Sequence, residues 1–354
     1  MTGNRENAAM FLYNHWYVAA WSTEVSGQPL ARTLLNEPVV LYRTADGQPV
    51  AMEDRCPHRR APLSLGKVVN DRLQCHYHGL QFAPGGACVR IPGQERIPAS
   101  VSVRTYPVAE RYRWVWIWMG NPDEADPDLI PDYRWMTDDQ WGAKGDRYHV
   151  KANWQLIVDN LLDLTHLAFV HETTIGNAAV AESADVKVTR GPANVLVTRW
   201  IIDQPPPPTY AKVGNFPGPV DRWQFIDFTA PSFLRLHVGA TPTGTGGPQG
   251  NLEGGIQMRN LNCITPETES TTHYFWAQAH NFDPHNQAVT DLAFEQVSTA
   301  FREDVVVFEA QQRVIAHCPD SKEIDINSDA GGIQARRILA RMHDAETARQ
   351  SVPA

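Results

Sequence analysis

The chain has 354 residues, 42% hydrophobic and 20% charged, a composition that excludes gross disorder and predicts two domains. Its formal net charge of −9 argues against a nucleic-acid-binding protein, because phosphate binding requires a basic face. No stretch approaches the roughly 18 apolar residues that span a bilayer, and residues 1–10 lack a secretory apolar core, so we expect a cytoplasmic protein without membrane contact.

The N-terminal third of the chain is predicted to be rich in short β-strands. β-prone runs occupy 11–13, 16–18 and 38–43, and tryptophans alternate with aliphatic residues in 113–119, while Gly and Pro mark the turns between runs. A polar, proline-containing connector at 121–127 follows. We therefore predict an N-terminal domain over 11–120 and a C-terminal domain over 121–354.

The C-terminal domain is predicted to combine strands with long helices. The four prolines of 203–209 favour an extended polyproline II loop. The glycine-rich loop 244–250 lacks the Gly-x-Gly-x-x-Gly spacing, which excludes a dinucleotide-binding turn there. The predicted helices cover 153–170, 287–316 and 333–346, and the predicted strand segments lie near 186–202, 222–238, 256–264 and 271–281.

Two short segments of the N-terminal domain each carry one cysteine and one histidine, Cys56-Pro-His58 and Cys75-His-Tyr-His78. Two thiolates and two imidazoles suit a tetrahedral zinc ion or a Rieske [2Fe–2S] cluster, in which two Cys bind one iron and two His the other. Zinc fingers usually pair Cys with Cys and His with His, whereas here each loop can give one ligand to each iron. The spacing favours the Rieske cluster, with a zinc-structured binding protein as the alternative.

The same residues resemble the metal-binding loops of Rieske non-haem iron oxygenases. Within this family, they are similar to the vanillate O-demethylase oxygenase component and the toluenesulfonate methyl-monooxygenase type. This resemblance implies an α+β fold, with an all-β Rieske domain followed by a catalytic domain whose twisted antiparallel sheet is packed by helices (helix-grip type). The matching segments are 16–19, 56–66, 75–80, 91–94, 158–166, 264–269 and 329–332.

A second group of candidate metal ligands lies along the predicted helix 153–170. On an uninterrupted helix, at about 100° per residue, His166 and His171 point about 140° apart and cannot share a metal ion. The helix must therefore break or loosen near 167–170 if both are ligands. The alternative is two unrelated histidines near a helix end.

Asp304 falls inside an apolar stripe of the predicted helix 287–316. A buried carboxylate is costly unless it is paired or metal-bound, and two His with one carboxylate form the facial triad of non-haem Fe(II) oxygenases. The alternative for Asp304 is a solvated charge. The resemblance implies that His166, His171 and Asp304 bind the mononuclear Fe(II).

Two neighbouring polar residues complete this group. Asp163 lies about one helical turn before His166, so its carboxylate can orient that imidazole. The resemblance further implies that Asp163 bridges to a Rieske histidine of the next subunit, here His78, in a head-to-tail homotrimer. It places Asn160 close to the iron without making it a firm ligand.

The predicted function is that of a terminal oxygenase in aromatic catabolism, which hydroxylates or O-demethylates an aromatic acid with O2. The electrons come from NAD(P)H through a separate ferredoxin-type flavin reductase, since no nucleotide-binding motif is visible in this chain. The alternatives are a ring-hydroxylating dioxygenase of a phthalate- or phenoxybenzoate-like acid, and a non-catalytic Rieske electron carrier.

The substrate pocket is predicted to come from the strands of the second domain. Arg235 or Arg259 can bind a carboxylate or sulfonate bidentately, although either side chain can equally face solvent on an alternating strand. Trp223 and Asn262 are the other candidate substrate contacts.

Overall fold

The computed structural model describes residues 11–171, 186–214 and 216–350, and these form two compact units. The first unit comprises residues 11–130 together with 265–268, and the second comprises the other described residues. The first is all-β and the second is α+β, which confirms the predicted fold class. The segment 1–10 lies outside the described residues.

The first unit contains three antiparallel sheets. Its strands are β1 (Trp16–Trp21), β2 (Leu30–Leu34), β3 (Glu37–Arg43), β4 (Pro49–Glu53), β5 (Lys67–Val69), β6 (Arg72–Gln74), β7 (Gln81–Phe82), β8 (Cys88–Arg90), β9 (Thr105–Tyr106), β10 (Val108–Arg111) and β11 (Trp114–Trp118). The sheet orders are β1-β11-β10, β2-β3-β4-β9 and β5-β6-β7-β8.

Strand β11 is buried along its whole length, because its tryptophans and aliphatic residues all lie in the core. The polar connector that follows is held to the same unit. The indole N–H of Trp118 donates to the carbonyl of Asn121 at 2.8 Å, and that of Trp16 donates to the carbonyl of Asp126 at 2.8 Å. These bonds explain why the first unit continues to residue 130.

The second unit is built on one seven-stranded antiparallel sheet. Its strands are β12 (Gly142–Val150), β13 (Val186–Arg190), β14 (Asn194–Gln204), β15 (Val220–Thr229), β16 (Phe233–Pro242), β17 (Ile256–Pro266) and β18 (Thr272–His280). The order across the sheet is β12-β18-β17-β16-β15-β14-β13.

Five described helices accompany this sheet. They are α1 (Trp154–Leu162), α2 (Leu167–Val170), α3 (Pro208–Gly214), α4 (Gln287–His317) and α5 (Ala330–Gln350). Helix α4 contacts β12 and β18, α1 contacts β15, and α5 contacts β14. None of the described helices combines the length and the hydropathy that crossing a bilayer requires.

The proline run differs from its prediction. Strand β14 extends to Gln204, and Pro208 begins α3, so the extended segment is shorter than predicted. A proline is favourable in the first turn of a helix, since its missing N–H has no intrahelical acceptor there. Helix α3 carries Tyr210, which lines the pocket described below.

Candidate metal centres

The two Cys–His loops of the first unit close in the same way. In each loop the cysteine N–H donates to the carbonyl five residues on, at 2.9 Å for Cys56 and 2.8 Å for Cys75. Each cysteine carbonyl accepts the N–H of the residue four positions on, Arg60 in one loop and Gly79 in the other. Arg60 has φ +60° and Gly79 φ +72°; these left-handed residues let the chain turn tightly around each cysteine.

The side chains of these loops are arranged in two layers. Cys56 and Cys75 are buried in the core of the first unit, whereas His58 and His78 are exposed, with ring centroids 4.6 Å apart. Burial, with Cys75 nearby, raises the pKa of the Cys56 thiol to about 11, so thiolate formation there needs a metal's positive charge. Inner thiolates and outer imidazoles fit the two irons of a Rieske cluster.

The histidine pair of the second unit lies beyond a break in the first helix. α1 ends at Leu162, and Asp163 is extended, with φ −122° and ψ 103°. Its carboxylate accepts the N–H and the hydroxyl of Thr165, both at 2.9 Å, which caps a new helical stretch. The break predicted near 167–170 therefore lies at Asp163. His171 in turn ends α2 with non-helical φ −114° and ψ 30°.

The two histidines and Asp304 converge on one point. Asp304 Oδ1 lies 3.1 Å from His171 Nε2 and 3.6 Å from His166 Nε2, and one ligand atom from each of the three residues lies within 4.8 Å of the others. His171 and Asp304 are buried. The structure thus brings together the three residues predicted as iron ligands, on α2, its preceding turn and α4.

Each imidazole uses its Nδ1 for a second contact. His166 Nδ1 lies 2.6 Å from the carbonyl oxygen of Asp163, and His171 Nδ1 lies 2.7 Å from Glu303 Oε2. These acceptors favour the Nδ1–H tautomer, which leaves both Nε2 atoms free to bind a metal. Within one chain, the Asp163 group that contacts His166 is therefore the backbone carbonyl, whereas a carboxylate contact was predicted. Glu303, which sequence analysis missed, supports His171.

The pKa shifts of the two histidines, together with the nearby carboxylates, are compatible with a bound metal cation. Burial lowers the pKa of His166, so that imidazole stays neutral and able to bind a metal. Burial alone would also lower the pKa of His171, but Asp304 and Glu303 outweigh it and raise that pKa. The amide of Asn160 donates to Asp304 Oδ1 at 3.3 Å, which places Asn160 beside the triad. Two histidines and a carboxylate are the donor set of a mononuclear non-haem iron.

The triad opens into a mostly apolar pocket with about 650 Å³ of space among its lining atoms, solvent at its mouth included. The apolar lining comes from Leu161, Leu164, Leu236, Val238, Met258, Val297 and Phe301. The polar lining away from the triad comes from Tyr210, Arg222, Gln224, Asn260 and Gln278, which sequence analysis did not identify.

Three of the predicted substrate contacts lie on the other face of the sheet. Arg235 forms an ion pair with Asp227 there, and the guanidinium of Arg259 stacks on Trp135, 4.7 Å from the ring centroid. Trp223 packs against neighbouring aromatic rings on that face. These side chains do not line the pocket, because strand alternation separates them from Arg222 and Gln224.

Asn262, the fourth predicted contact, lies on the pocket side of the sheet but is fully buried. Its amide N–H donates to Asn260 Oδ1 at 2.8 Å, and its own Oδ1 accepts the hydroxyl of Tyr274 at 2.8 Å. Asn262 therefore supports Asn260 from behind and does not line the pocket. Sequence periodicity gives no signal that separates these two asparagines.

Comparison with known families gives two matches that together cover most of the chain. Residues 15–107 match the Rieske [2Fe-2S] domain, and residues 150–345 match the vanillate O-demethylase oxygenase C-terminal domain. The first match contains both Cys–His loops, and the second contains the triad.

Characterised proteins and solved structures are similar over almost the full length. The chain is 46% identical to the iron–sulfur subunit of a toluene-4-sulfonate monooxygenase system from Comamonas testosteroni, over 95% of this chain and 98% of that protein. It is 37% identical to the oxygenase component of dicamba O-demethylase from Stenotrophomonas maltophilia, over 96% and 99%. A crystal structure of dicamba monooxygenase bound to dicamba superposes with a TM-score of 0.88 at 36% identity, covering 96% of this chain and 99% of that one.

Proposed function

Because this chain belongs to the Rieske non-haem iron oxygenases with a vanillate O-demethylase-type C-terminal domain, we propose that it hydroxylates or O-demethylates an aromatic acid as the terminal oxygenase of a multicomponent monooxygenase. Membership makes it an oxidoreductase with a Rieske [2Fe–2S] cluster and a mononuclear non-haem iron. The observation that carries the proposal is the triad of His166, His171 and Asp304 at the wall of an apolar pocket.

Separate sets of residues are proposed to hold the cluster and the mononuclear iron. Cys56, His58, Cys75 and His78 hold the cluster, and His166, His171 and Asp304 hold the iron. When bound, these groups supply electrons and O2 activation, chemistry that no side chain provides. The apolar lining excludes water and holds an aromatic ring beside the triad.

Asp163 is proposed to link the two centres of neighbouring subunits. Its carbonyl contacts His166, while its carboxylate is only half-buried and caps the turn at Thr165. His78 is exposed, so a partner subunit can present it to that carboxylate. This arrangement requires a cyclic head-to-tail assembly, and we propose a homotrimer. The partner that delivers NAD(P)H electrons is proposed to be a ferredoxin-type flavin reductase, since relatives are named as components of multicomponent systems.

The test is turnover with a surrogate reductase and a panel of methoxylated, methylated and unsubstituted aromatic acids. We expect O2-dependent loss of the methoxy group with release of formaldehyde, or conversion of a ring methyl to a hydroxymethyl group, read by mass spectrometry and a formaldehyde trap. A cis-dihydrodiol as the main product would replace this proposal with ring dihydroxylation. If none of the aromatic acids supports O2 uptake, the result would favour the alternative of a non-catalytic Rieske electron carrier.

The control is Asp304→Ala. This variant removes one carboxylate from the triad and leaves the Cys–His loops untouched, so it should lose mononuclear iron and turnover while keeping the colour of the cluster. If it keeps full iron content and activity, the iron is bound elsewhere and the proposed site is wrong.

A further inference from the structure

Arg222 is an unusual residue for an apolar pocket. It lies on β15, and only 4% of its surface is exposed. It lines the same pocket as the triad, together with Tyr210 of α3, and its guanidinium carbon lies 4.7 Å from the centroid of the Tyr210 ring. The ring gives the cation a favourable contact on one side, but it supplies no hydrogen-bond acceptor.

The guanidinium lacks the partners that a buried cation requires. Its Nε and Nη1 atoms are buried without a hydrogen-bond acceptor, and the hydroxyl of Tyr210 is also without a partner. No carboxylate among the described residues forms an ion pair with Arg222. The neighbouring Asp221 instead accepts the backbone N–H of Asp203 at 3.1 Å and that of Gly244 at 3.3 Å.

Apart from the triad, the other polar residues of the pocket are neutral, and Gln224 Oε1 and Asn160 Oδ1 are also buried without a hydrogen-bond partner in the described part of the chain. Asn260 donates to Gln278 Oε1 at 3.0 Å and accepts a bond from Asn262 at 2.8 Å. Among the described residues of this wall, Arg222 is the unpaired group that carries a positive charge, since the other unpaired atoms belong to neutral side chains. Leaving a buried guanidinium unpaired is costly, and a pocket that retains one is suited to a ligand that brings the opposite charge.

We propose that Arg222 is the residue that binds the anionic group of the substrate, with the hydroxyl of Tyr210 as a second donor. Burial raises the pKa of Tyr210 and outweighs the nearby Arg222 guanidinium, which acts to lower it, so the hydroxyl remains protonated and able to donate at neutral pH. A guanidinium binds the oxygens of a carboxylate or sulfonate bidentately. The rest of the wall is apolar and contacts the ring, so the anion fixes which end of the substrate faces the triad. This inference rests on the proposed function for the identity of the ligand as an aromatic acid.

The test measures equilibrium binding, independently of turnover. The probes are 4-methylbenzoate, 4-toluenesulfonate and the uncharged 4-methylbenzamide, titrated into the holoenzyme by calorimetry under anaerobic conditions. The wild type should bind at least one anion about 10- to 100-fold more tightly than the amide, because charge-assisted bonds are lost with the amide. The anion that binds more tightly identifies the acid group of the substrate as a carboxylate or a sulfonate. Arg222→Met should bring the anion-to-amide ratio close to 1, and Arg222→Lys should retain part of it.

The matched control is Arg190→Gln, an exposed arginine of the same sheet, which should keep the wild-type ratio. A melting curve without ligand separates ligand binding from a structural role. Replacing a buried, unpaired charge with methionine should raise the melting temperature by about 2 °C or more. A lower melting temperature would mean that Arg222 serves the fold, and the proposal would be wrong.

The outcomes for this residue and for the function are distinguishable. If Arg222→Met binds the anions as tightly as wild type while O2-dependent product still forms, the anchor is wrong and the oxygenase proposal stands. If wild type discriminates anion from amide through Arg222 but oxidises no aromatic, the anchor stands and the proposed reaction is wrong.

Discussion

Glu303 offers the most informative perturbation of the iron site, because it touches a ligand without being one of the three converging groups. Its Oε2 lies 2.7 Å from His171 Nδ1, on the side of the ring away from Nε2 and Asp304. Glu303→Gln keeps an acceptor for that N–H but removes the negative charge. Glu303→Ala removes both.

The expected effect on iron affinity follows from the role of carboxylates that hydrogen-bond a metal-binding histidine. Losing one typically costs 10- to 100-fold in metal affinity, which is about 1.4–2.7 kcal/mol. We expect Glu303→Gln near the lower end of this range and Glu303→Ala near the upper end. The site should remain partly loaded at high iron concentration, whereas Asp304→Ala should not be loaded at all.

The assay is a competition between the protein and a calibrated Fe(II) chelator, with cluster absorbance recorded in the same samples. The matched control is Glu309→Gln on the same helix α4, since the Glu309 carboxylate accepts the backbone N–H of Lys151 and does not contact His171. Equal affinities for Glu303→Gln, Glu303→Ala and Glu309→Gln would refute the supporting role. A complete loss of iron in Glu303→Gln would make Glu303 itself a ligand.

Three further outcomes are expected. Cys75→Ser should bleach the red-brown cluster, abolish its EPR signal after reduction and destabilise the first unit, because metal binding is coupled to folding; a colourless wild type containing zinc would contradict this. Asp163→Asn should keep both metals, and it should keep its stability because Asn caps helices as well as Asp, but single-turnover electron transfer should slow. Mixed trimers of Asp163→Asn and Cys75→Ser chains should regain partial activity. No recovery of activity in verified mixed trimers would place the electron transfer within one chain. Burial lowers the pKa of His15 from 6.5 to about 4, so the unfolded chain binds a proton between these values that the folded chain does not. Stability should therefore fall as pH drops below 6.5, by about 1–2 kcal/mol at pH 5, and melting curves of His15→Gln should lack that part of the loss.

The sequence was sufficient to propose the four cluster ligands, because these candidate donors lie in two short loops. Each loop is closed by hydrogen bonds between residues four or five positions apart, so spacing along the chain already determines how the cysteine and the histidine of one loop lie relative to each other. Asp304, the third proposed iron ligand, was also recognisable as a candidate, since a carboxylate within an apolar helical stripe must be paired or bound to metal. The fold class followed from the same local patterns and from the resemblance that these motifs carry.

Tertiary structure alone decided what surrounds the iron. Glu303 meets His171 across 132 positions of sequence, and the helix break at Asp163 depends on a side-chain cap that competes with continued helix. The wall of the pocket shows most clearly what the sequence alone could not predict. Alternation along β15 defines two faces, Arg222 on one and Trp223 on the other, but both faces carry charged and aromatic residues. Only the packing of helices against one side determines which face becomes the pocket, and that packing is a property of the whole domain.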